Sequence, residues 1–262
     1  MIPIEDINDE RISLYKSLRF TPKSHTDAKL FVAEGEKVVL KLLKSTLETV
    51  SIFAVSEFYD TQHYLSYFRK ISPENLFTAD LNLMNQIVGF RIHSGVMALG
   101  KIPDDTAISS LEDKIIILNG IVDAENVGAI VRNCAAFGFN SLIADESSSS
   151  PYLRRAVRVS MGNVFDMKLN HCRDLKSTIS VLAKNGYRII AGEICGNSVP
   201  LDKADFGDKY CIIFGSEGKG INQDILNLCD TIVHIPISDK VPSINVAASS
   251  AVFMHYLQNQ SS

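Results

Sequence analysis

The chain has 262 residues, a net charge of −4 from 26 Lys and Arg against 30 Asp and Glu, and 46% hydrophobic residues. This composition indicates a soluble globular protein, and it excludes a disordered chain, a fibrous repeat and a protein that binds nucleic acid through its overall charge. Five scattered cysteines without a C-x-x-C pair indicate neither a disulfide framework nor a zinc cluster, so no metal is expected. No apolar run reaches membrane-spanning length and the acidic N-terminus lacks a signal-peptide core, so we expect a cytoplasmic protein.

The first part of the chain, residues 1–105, is predicted to be a small mixed α/β domain. Residues 35–44 have the apolar period of an amphipathic helix, and residues 51–57 and 95–100 have the composition of strands. The helix is expected to bury a stripe of four apolar side chains, Val38, Val39, Leu42 and Leu43. Residues 101–114, which are rich in Pro, Asp and Ser, lie between two apolar runs and are interpreted as a linker.

The second part, residues 106–262, alternates short apolar strands with helices. The predicted strands are 114–122, 141–145, 164–169, 188–194, 210–215 and 231–237. The predicted helices are 124–139, 151–160, 175–187, 222–230 and 244–258, with Gly138 ending the first of them. This alternation predicts an α/β fold with a parallel sheet that helices cover on both faces.

Three polar or glycine-rich turns follow strands of this second part, where open α/β sheets bind ligands. In the first turn, Asn126 is predicted to cap a helix, and Arg132 lies among apolar residues of that helix. Arg132 therefore needs a partner, unless it extends to the surface or forms an internal salt bridge.

The second turn, residues 213–220, places three glycines and Glu217 after a strand. Such a turn lets a backbone approach a ligand closely, although it also occurs as an ordinary turn. Its spacing matches neither a P-loop nor G-x-G-x-x-G. The Glu217 carboxylate disfavours a phosphate and suits a ligand with donor groups, or a pairing with Arg132. The third turn, residues 235–248, contains Pro242, with Ser243 and Asn245 as possible helix caps.

Together the three turns resemble the SpoU branch of the SPOUT RNA methyltransferases. The matching stretches are D-A-E-N-V-G-A-I-V-R-N-C-A-A-F-G (123–138), S-M-G-N-V-F (160–165), F-G-S-E-G-K-G-I (214–221) and I-P-I-S-D-K-V-P-S-I-N-V-A-A (235–248). The stretch F-V-A-E-G-E-K-V-V (31–39) resembles the start of the RNA substrate-binding domain of two-domain members. Ala124 departs from the proline that many members carry after the aspartate, at a position outside the polar set.

The resemblance implies a 2′-O-ribose methyltransferase that uses S-adenosylmethionine and no metal. It also implies an RNA substrate-binding domain over 1–105, a methyltransferase domain with a deep trefoil knot over 106–262, and a homodimer whose active sites use both subunits. The catalytic residues that it implies are Asn126, Arg132, Glu217, Ser243 and Asn245. The cofactor-binding residues that it implies are Phe214, Gly215, Gly218, Ile235, Ile237 and Ile244.

Two basic segments are expected to contact RNA. Residues 11–44 carry eight basic and three acidic side chains, a local charge of +5, although such a surface also occurs as a solvated helical face. Residues 150–173 carry a second excess. The predicted RNA-binding residues are Arg11, Lys16, Arg19, Lys23, Arg154, Arg155 and Arg158.

Ribosomal RNA is the favoured substrate because the N-terminal domain resembles that of members acting on large folded RNA. Transfer RNA is an alternative substrate, and a catalytically silent module for RNA binding or ribosome assembly is an alternative function. An enzyme acting on nucleotide phosphates is disfavoured, because no Ser or Thr follows the loop lysine to hold Mg²⁺.

Overall fold

The computed structural model describes residues 1–61 and 64–260, in which the chain forms two compact units. The first unit comprises Met1–Pro103 together with Tyr152–Phe165, and the second comprises Asp104–Pro151 together with Asp166–Ser262. The chain leaves the first unit beside the predicted linker and returns to it once. The division of labour between an RNA-binding part and a catalytic part stays a prediction.

The first unit contains a five-stranded mixed sheet with the order β1-β4-β3-β5-β2. Its strands are β1 (Ile2–Pro3), β2 (Leu30–Glu34), β3 (Thr49–Ala54), β4 (Leu76–Thr78) and β5 (Val96–Lys101). Its helices in the N-terminal segment are α1 (Lys23–Asp27), α2 (Glu36–Lys44), α3 (Ser56–Tyr59), α4 (Leu65–Phe68) and α5 (Leu81–Val88). The predicted stripe of α2 is confirmed, since all four of its apolar side chains are buried.

The returning segment explains why a helix from the middle of the chain belongs to this unit. Helix α7 (Arg154–Val159) follows Tyr152, whose ring centroid lies 5.2 Å from that of Phe31 on β2. The ring of Phe165 lies at the same 5.2 Å from Phe31. Arg154 forms an ion pair with the buried Glu34, and its guanidinium lies 4.1 Å from the Phe90 ring centroid. Aromatic packing and a half-buried ion pair therefore hold the segment in place.

The second unit contains a seven-stranded parallel sheet with the order β10-β12-β9-β11-β6-β7-β8. Its strands are β6 (Lys114–Asn119), β7 (Ser141–Ala144), β8 (Lys168–His171), β9 (Arg188–Gly192), β10 (Val199–Pro200), β11 (Tyr210–Gly215) and β12 (Thr231–His234). Its helices are α6 (Ala124–Phe137), α8 (Leu175–Lys184), α9 (Gln223–Leu226) and α10 (Val246–Gln260). The predicted α/β class with a parallel sheet is confirmed; the trefoil knot stays a prediction.

Side chains of this sheet alternate between two helical layers. Ile115, Ile117 and Ile213 join one apolar cluster with residues of α8. The next residue along β11, Phe214, points to the opposite layer, where its ring lies 5.5 Å from that of Phe253 on α10. Because both faces are covered, the interior of β6, residues 115–118, and the residues of β11 are apolar, as the sequence predicted, whereas Lys114 and Asn119 at the two ends of β6 are polar.

Several local predictions were wrong. The strands predicted over 51–57 and 231–237 end at Ala54 and His234, and the helix predicted over 222–230 covers only Gln223–Leu226. Asp123, and not Asn126, caps α6, because its carboxylate accepts the Glu125 N–H at 2.8 Å. The strand predicted over 164–169 begins only at Lys168, because Phe165 packs in the first unit. The strand predicted over 114–122 ends at Asn119, because Gly120 turns the chain with φ +71°. Gly138 ends α6 with φ 76°, as predicted. No helix within 1–61 and 64–260 is both long and apolar enough to cross a membrane.

Candidate active site

The candidate site lies at the carboxyl edge of the parallel sheet in the second unit. Strands β6 and β11 are neighbours, and their register pairs Asn119 with Gly215 at the last position of each strand. The loop that leads into α6 and the glycine-rich loop therefore leave the sheet side by side. This placement is the usual ligand-binding edge of an open α/β sheet.

Three side chains that are far apart in sequence meet at this edge. The Asn245 Nδ2 group donates hydrogen bonds to the Asn126 Oδ1 atom, at 3.0 Å, and to the Glu217 carboxylate. The Asn245 Oδ1 atom accepts the N–H groups of Ala247 at 2.9 Å and Ala248 at 3.2 Å. Asn245 thus caps α10 with its oxygen and presents its amide protons to the site. The other two side chains keep acceptor sites for a ligand.

The two remaining predicted catalytic residues, Ser243 and Arg132, do not bond to these three side chains. Ser243 lines the adjoining cavity. Arg132 is exposed on α6, six residues after Asn126, which places the two side chains about 120° apart around the helix. Glu217 bonds to Asn245, and no ion pair between Glu217 and Arg132 forms among the described residues. The pairing suggested by the sequence is therefore not made within one chain.

A cavity of about 230 Å³ opens beside these residues. Five of the six predicted cofactor-binding residues line it: Phe214, Gly215, Ile235, Ile237 and Ile244. The sixth, Gly218, lines a neighbouring cavity together with Asn126. The lining combines apolar side chains with polar residues such as Ser216 and Ser243, which suits a flat heterocycle with polar edges, so the cavity fits the predicted adenosyl group.

Gly215 is required by the shape of the glycine-rich loop. The loop folds back on itself, and the Gly220 N–H donates to the Ser216 carbonyl at 2.8 Å. A Cβ atom on Gly215 would lie 2.4 Å from the Gly220 carbonyl carbon and 2.5 Å from the Ile221 nitrogen. Both are backbone atoms that cannot move aside independently. Only glycine allows this turn at the end of β11.

A buried carboxylate that the sequence analysis missed fixes the loop after β6. The Asp145 carboxylate is 4% exposed at the residue level and accepts hydrogen bonds from the Asn119 amide at 2.8 Å and from the Gly120 N–H at 3.1 Å. It also accepts the hydroxyls of Ser147 at 2.8 Å and Ser148 at 2.6 Å, and the Ser148 N–H at 2.8 Å. Burial raises the pKa of Asp145, but these hydrogen bonds outweigh burial and lower it.

The serine run of residues 147–150 gave the signal that could have found this cluster. A serine run between two elements is typical of a plain loop, yet its side chains here bind the neighbouring turn. The Ser148 hydroxyl accepts the Ile121 N–H at 3.0 Å, and the Ser149 hydroxyl donates to the Val122 carbonyl at 2.6 Å. The loop that leads into α6 is therefore held by the Asp145 carboxylate and by two serines.

The predicted RNA-binding residues lie in the first unit, and several of them form ion pairs with acidic side chains of that unit. Arg11 pairs with Asp9, and Lys23 pairs with Asp27 at 2.7 Å. Arg154 is bonded to Glu34, and Arg158 lies 4.0 Å from the same carboxylate. Arg19 is exposed. Their role in RNA binding stays a prediction.

The chain resembles known RNA methyltransferases in sequence and in fold. The model of the SpoU rRNA methylase family matches residues 113–255. A tRNA/rRNA methyltransferase of Mycobacterium tuberculosis, itself described as uncharacterized, is 28% identical over 262 residues that cover 94% of this chain and 88% of the relative.

Two solved structures show the same fold over nearly the whole chain. An AdoMet-bound rRNA methyltransferase from Sinorhizobium meliloti has a TM-score of 0.86 at 16% identity, and covers 98% of this chain and 97% of that one. The SpoU methyltransferase AviRb from Streptomyces viridochromogenes, in complex with AdoMet, has a TM-score of 0.83 at 17% identity, and the match covers 97% of this chain and 98% of that one.

Proposed function

Since the chain belongs to the SpoU rRNA methylase family, we propose that it methylates a ribose 2′-oxygen of RNA, with ribosomal RNA as the favoured substrate. The chain is an S-adenosylmethionine-dependent RNA methyltransferase of that family. The hydrogen-bonded contact of Asn126, Glu217 and Asn245 beside the cavity carries the proposal. The same contact argues against a catalytically silent binding module, because RNA binding alone does not require these three side chains to meet at a cofactor cavity.

S-adenosylmethionine supplies a methyl group that its sulfonium makes electrophilic. The protein must hold a ribose hydroxyl in line with that methyl group, and positioning of this kind accounts for a large part of enzymatic acceleration. The Glu217 carboxylate and the Asn126 carbonyl oxygen are acceptors that orient a hydroxyl. Asn245 fixes both of them, since its amide group bonds to each.

Arg132 has a different role in this proposal. A guanidinium has a pKa above about 12 and is a poor base near neutral pH. Its charge instead suits binding of the target phosphate and stabilisation of negative charge that develops on the 2′-oxygen. Arg132 is exposed and does not line the cavity, so one chain does not complete the site.

A homodimer in which Arg132 of the partner subunit completes each site resolves this separation. Helices α6 and α10 form one layer, in which the Asn133 amide donates to the Ala247 carbonyl at 2.8 Å and to the Ser250 hydroxyl at 2.9 Å. The outer face of this layer exposes small apolar side chains, Ala135, Ala136, Ala248 and Val252. Such a face supports close contact with a second copy.

The proposed role of Arg132 is tested by Arg132→Ala, with exposed Lys184→Ala on α8 as the matched control. We expect Arg132→Ala to bind S-adenosylmethionine as the wild type does, measured by calorimetry. It should lose transfer of labelled methyl groups to total RNA, whereas Lys184→Ala should keep both. Full transfer by Arg132→Ala would contradict the assignment.

Mixing two inactive variants tests the shared site. If Arg132 acts on the partner's site, a heterodimer of Arg132→Ala and Asn245→Ala contains one site with both residues intact, and transfer should reappear. If both residues act within one chain, no transfer returns. Sedimentation equilibrium of the wild type reports the dimer independently.

The RNA itself is identified by mapping 2′-O-methyl positions in RNA from cells with and without the gene. Loss of one methyl group in ribosomal RNA is the expected result. A loss in transfer RNA would replace the favoured substrate with the alternative. Methyl groups that are lost from a base would contradict the proposed 2′-oxygen.

A further inference from the structure

Glu193 is a carboxylate in the cavity wall to which no role has been given above. It directly follows β9, and its N–H donates to the Val233 carbonyl of β12 at 3.0 Å. Its side chain lines the same cavity as Gly215, Ile235 and Ile244. It therefore lies at the ligand-binding edge of the sheet, at the end of the strand between β11, which ends at Gly215, and β12, which Ile235 follows.

Backbone groups hold both carboxylate oxygens of Glu193 in place. The Oε2 atom accepts the Ile221 N–H at 3.0 Å, and the Oε1 atom accepts the Ile194 N–H at 2.9 Å. Gly220 has φ +65°, and a Cβ atom there would lie 2.4 Å from Oε2. The absence of a side chain at Gly220 is thus what allows the carboxylate to reach the glycine-rich loop.

A carboxylate held in this way retains unused acceptor capacity. An ionised carboxylate has about four acceptor positions and no donor, and two of those of Glu193 are occupied by N–H groups. A ligand in the cavity must therefore bring donors to this wall. The adenosyl group carries two adjacent ribose hydroxyls, and a carboxylate placed after a strand accepts ribose hydroxyls in dinucleotide-binding sheets as well.

We propose that the Glu193 carboxylate accepts hydrogen bonds from the ribose hydroxyls of the adenosyl cofactor and so selects for a ribose. The inference rests on the proposed function, because it needs the cofactor in this cavity. Glu193 also positions the glycine-rich loop through Ile221, and that second role must be separated from the first by experiment.

Calorimetric titration with S-adenosylhomocysteine and its 2′-deoxy and 3′-deoxy analogues makes this separation. Hydrogen bonds to charged groups correspond to about ten- to hundredfold in affinity. We expect one deoxy analogue to bind the wild type more weakly by that factor, and Glu193→Gln to bind S-adenosylhomocysteine more weakly to a similar degree. Glu193→Gln should bind that deoxy analogue about as well as it binds S-adenosylhomocysteine. Glu146→Gln removes an exposed carboxylate of the same unit, and it should behave as the wild type.

Several outcomes would overturn the inference. If the loss of affinity caused by Glu193→Gln and the loss caused by the deoxy analogue multiply when the two are combined, Glu193 acts only through the loop. Unchanged affinity of Glu193→Gln, or coupling to a deaminated analogue instead of a deoxy one, would exclude the ribose contact. A wild type that binds no S-adenosylhomocysteine would instead contradict the proposed function.

If Glu193→Gln does not fold, as judged by circular dichroism, the wild type decides the question. A crystal structure with S-adenosylhomocysteine should place a ribose oxygen within about 3.2 Å of the Glu193 carboxylate. Ribose oxygens that all lie beyond about 4 Å would refute the inference.

Discussion

Replacement of Asp145 by asparagine should destabilise the second unit without removing any volume. The carboxylate accepts from Asn119 and Gly120 on one side and from Ser147 and Ser148 on the other. An amide has one acceptor oxygen, so either orientation places its NH₂ group against an N–H donor. That donor is buried in one orientation and part-buried in the other, and the loss of its acceptor costs about 1–3 kcal/mol, while the other hydrogen bonds lose their charged partner. We expect the free energy of unfolding to fall by about 2–4 kcal/mol.

Urea unfolding followed by far-ultraviolet circular dichroism measures this change, since the chain has no tryptophan for fluorescence. The neighbouring exposed carboxylate provides the control, and Glu146→Gln should change the free energy of unfolding by less than about 0.5 kcal/mol. A change of that small size for Asp145→Asn would refute the reasoning. It would mean that water satisfies the N–H and hydroxyl donors of the loop as well as the carboxylate does.

The pH dependence of the same comparison tests the charge of Asp145. Its pKa in the folded chain lies below the ordinary value of 3.8, because hydrogen bonds outweigh burial. A carboxyl group with a lowered folded pKa stabilises fully above its unfolded pKa, and this contribution is lost as the pH falls through the folded value. The difference between wild type and Asp145→Asn should therefore be constant from about pH 5 to 8 and shrink below about pH 4. A difference that grows on acidification would contradict this sign.

Three further expectations concern the glycine-rich loop and the first unit. Gly215→Ala should lower the free energy of unfolding by about 1–3 kcal/mol and weaken binding of S-adenosylhomocysteine, because its Cβ would overlap backbone. Gly196→Ala, whose Cβ meets nothing within 4 Å, is its control, and equal behaviour of the two variants would exclude the overlap. Arg19→Gln should reduce the slope of log affinity for RNA against log salt by about one, whereas an unchanged slope would remove Arg19 from the RNA contact. Arg154→Ala should act differently and lower the free energy of unfolding by about 2 kcal/mol or more, because Glu34 is buried, and unchanged stability would show that this ion pair contributes nothing.

Most of the strands and helices could be predicted from the sequence because the local pattern decides them. The continuous apolar runs of β6 and β11 can only be buried on both faces, which requires helices on each side of a parallel sheet. The end of α6 at Gly138 follows from the freedom of glycine to adopt a positive φ. A segment that contributes to both units was less predictable. The strand expected over 164–169 begins later, because Phe165 packs against Phe31 in the first unit.

The candidate site divides in the same way between sequence and tertiary structure. The order and spacing of the three turns pointed to Asn126, Glu217 and Asn245, but only the sheet register and the packing of α10 against α6 bring their side chains into hydrogen-bonding contact. Glu193 could not be found from the sequence, because a lone carboxylate in a chain with 30 acidic residues carries no signal, and only the serine run that follows Asp145 pointed to that residue. Their long-range partners, the Gly120 N–H for Asp145 and the Ile221 N–H for Glu193, come from other loops, and such partners are determined by distance in space.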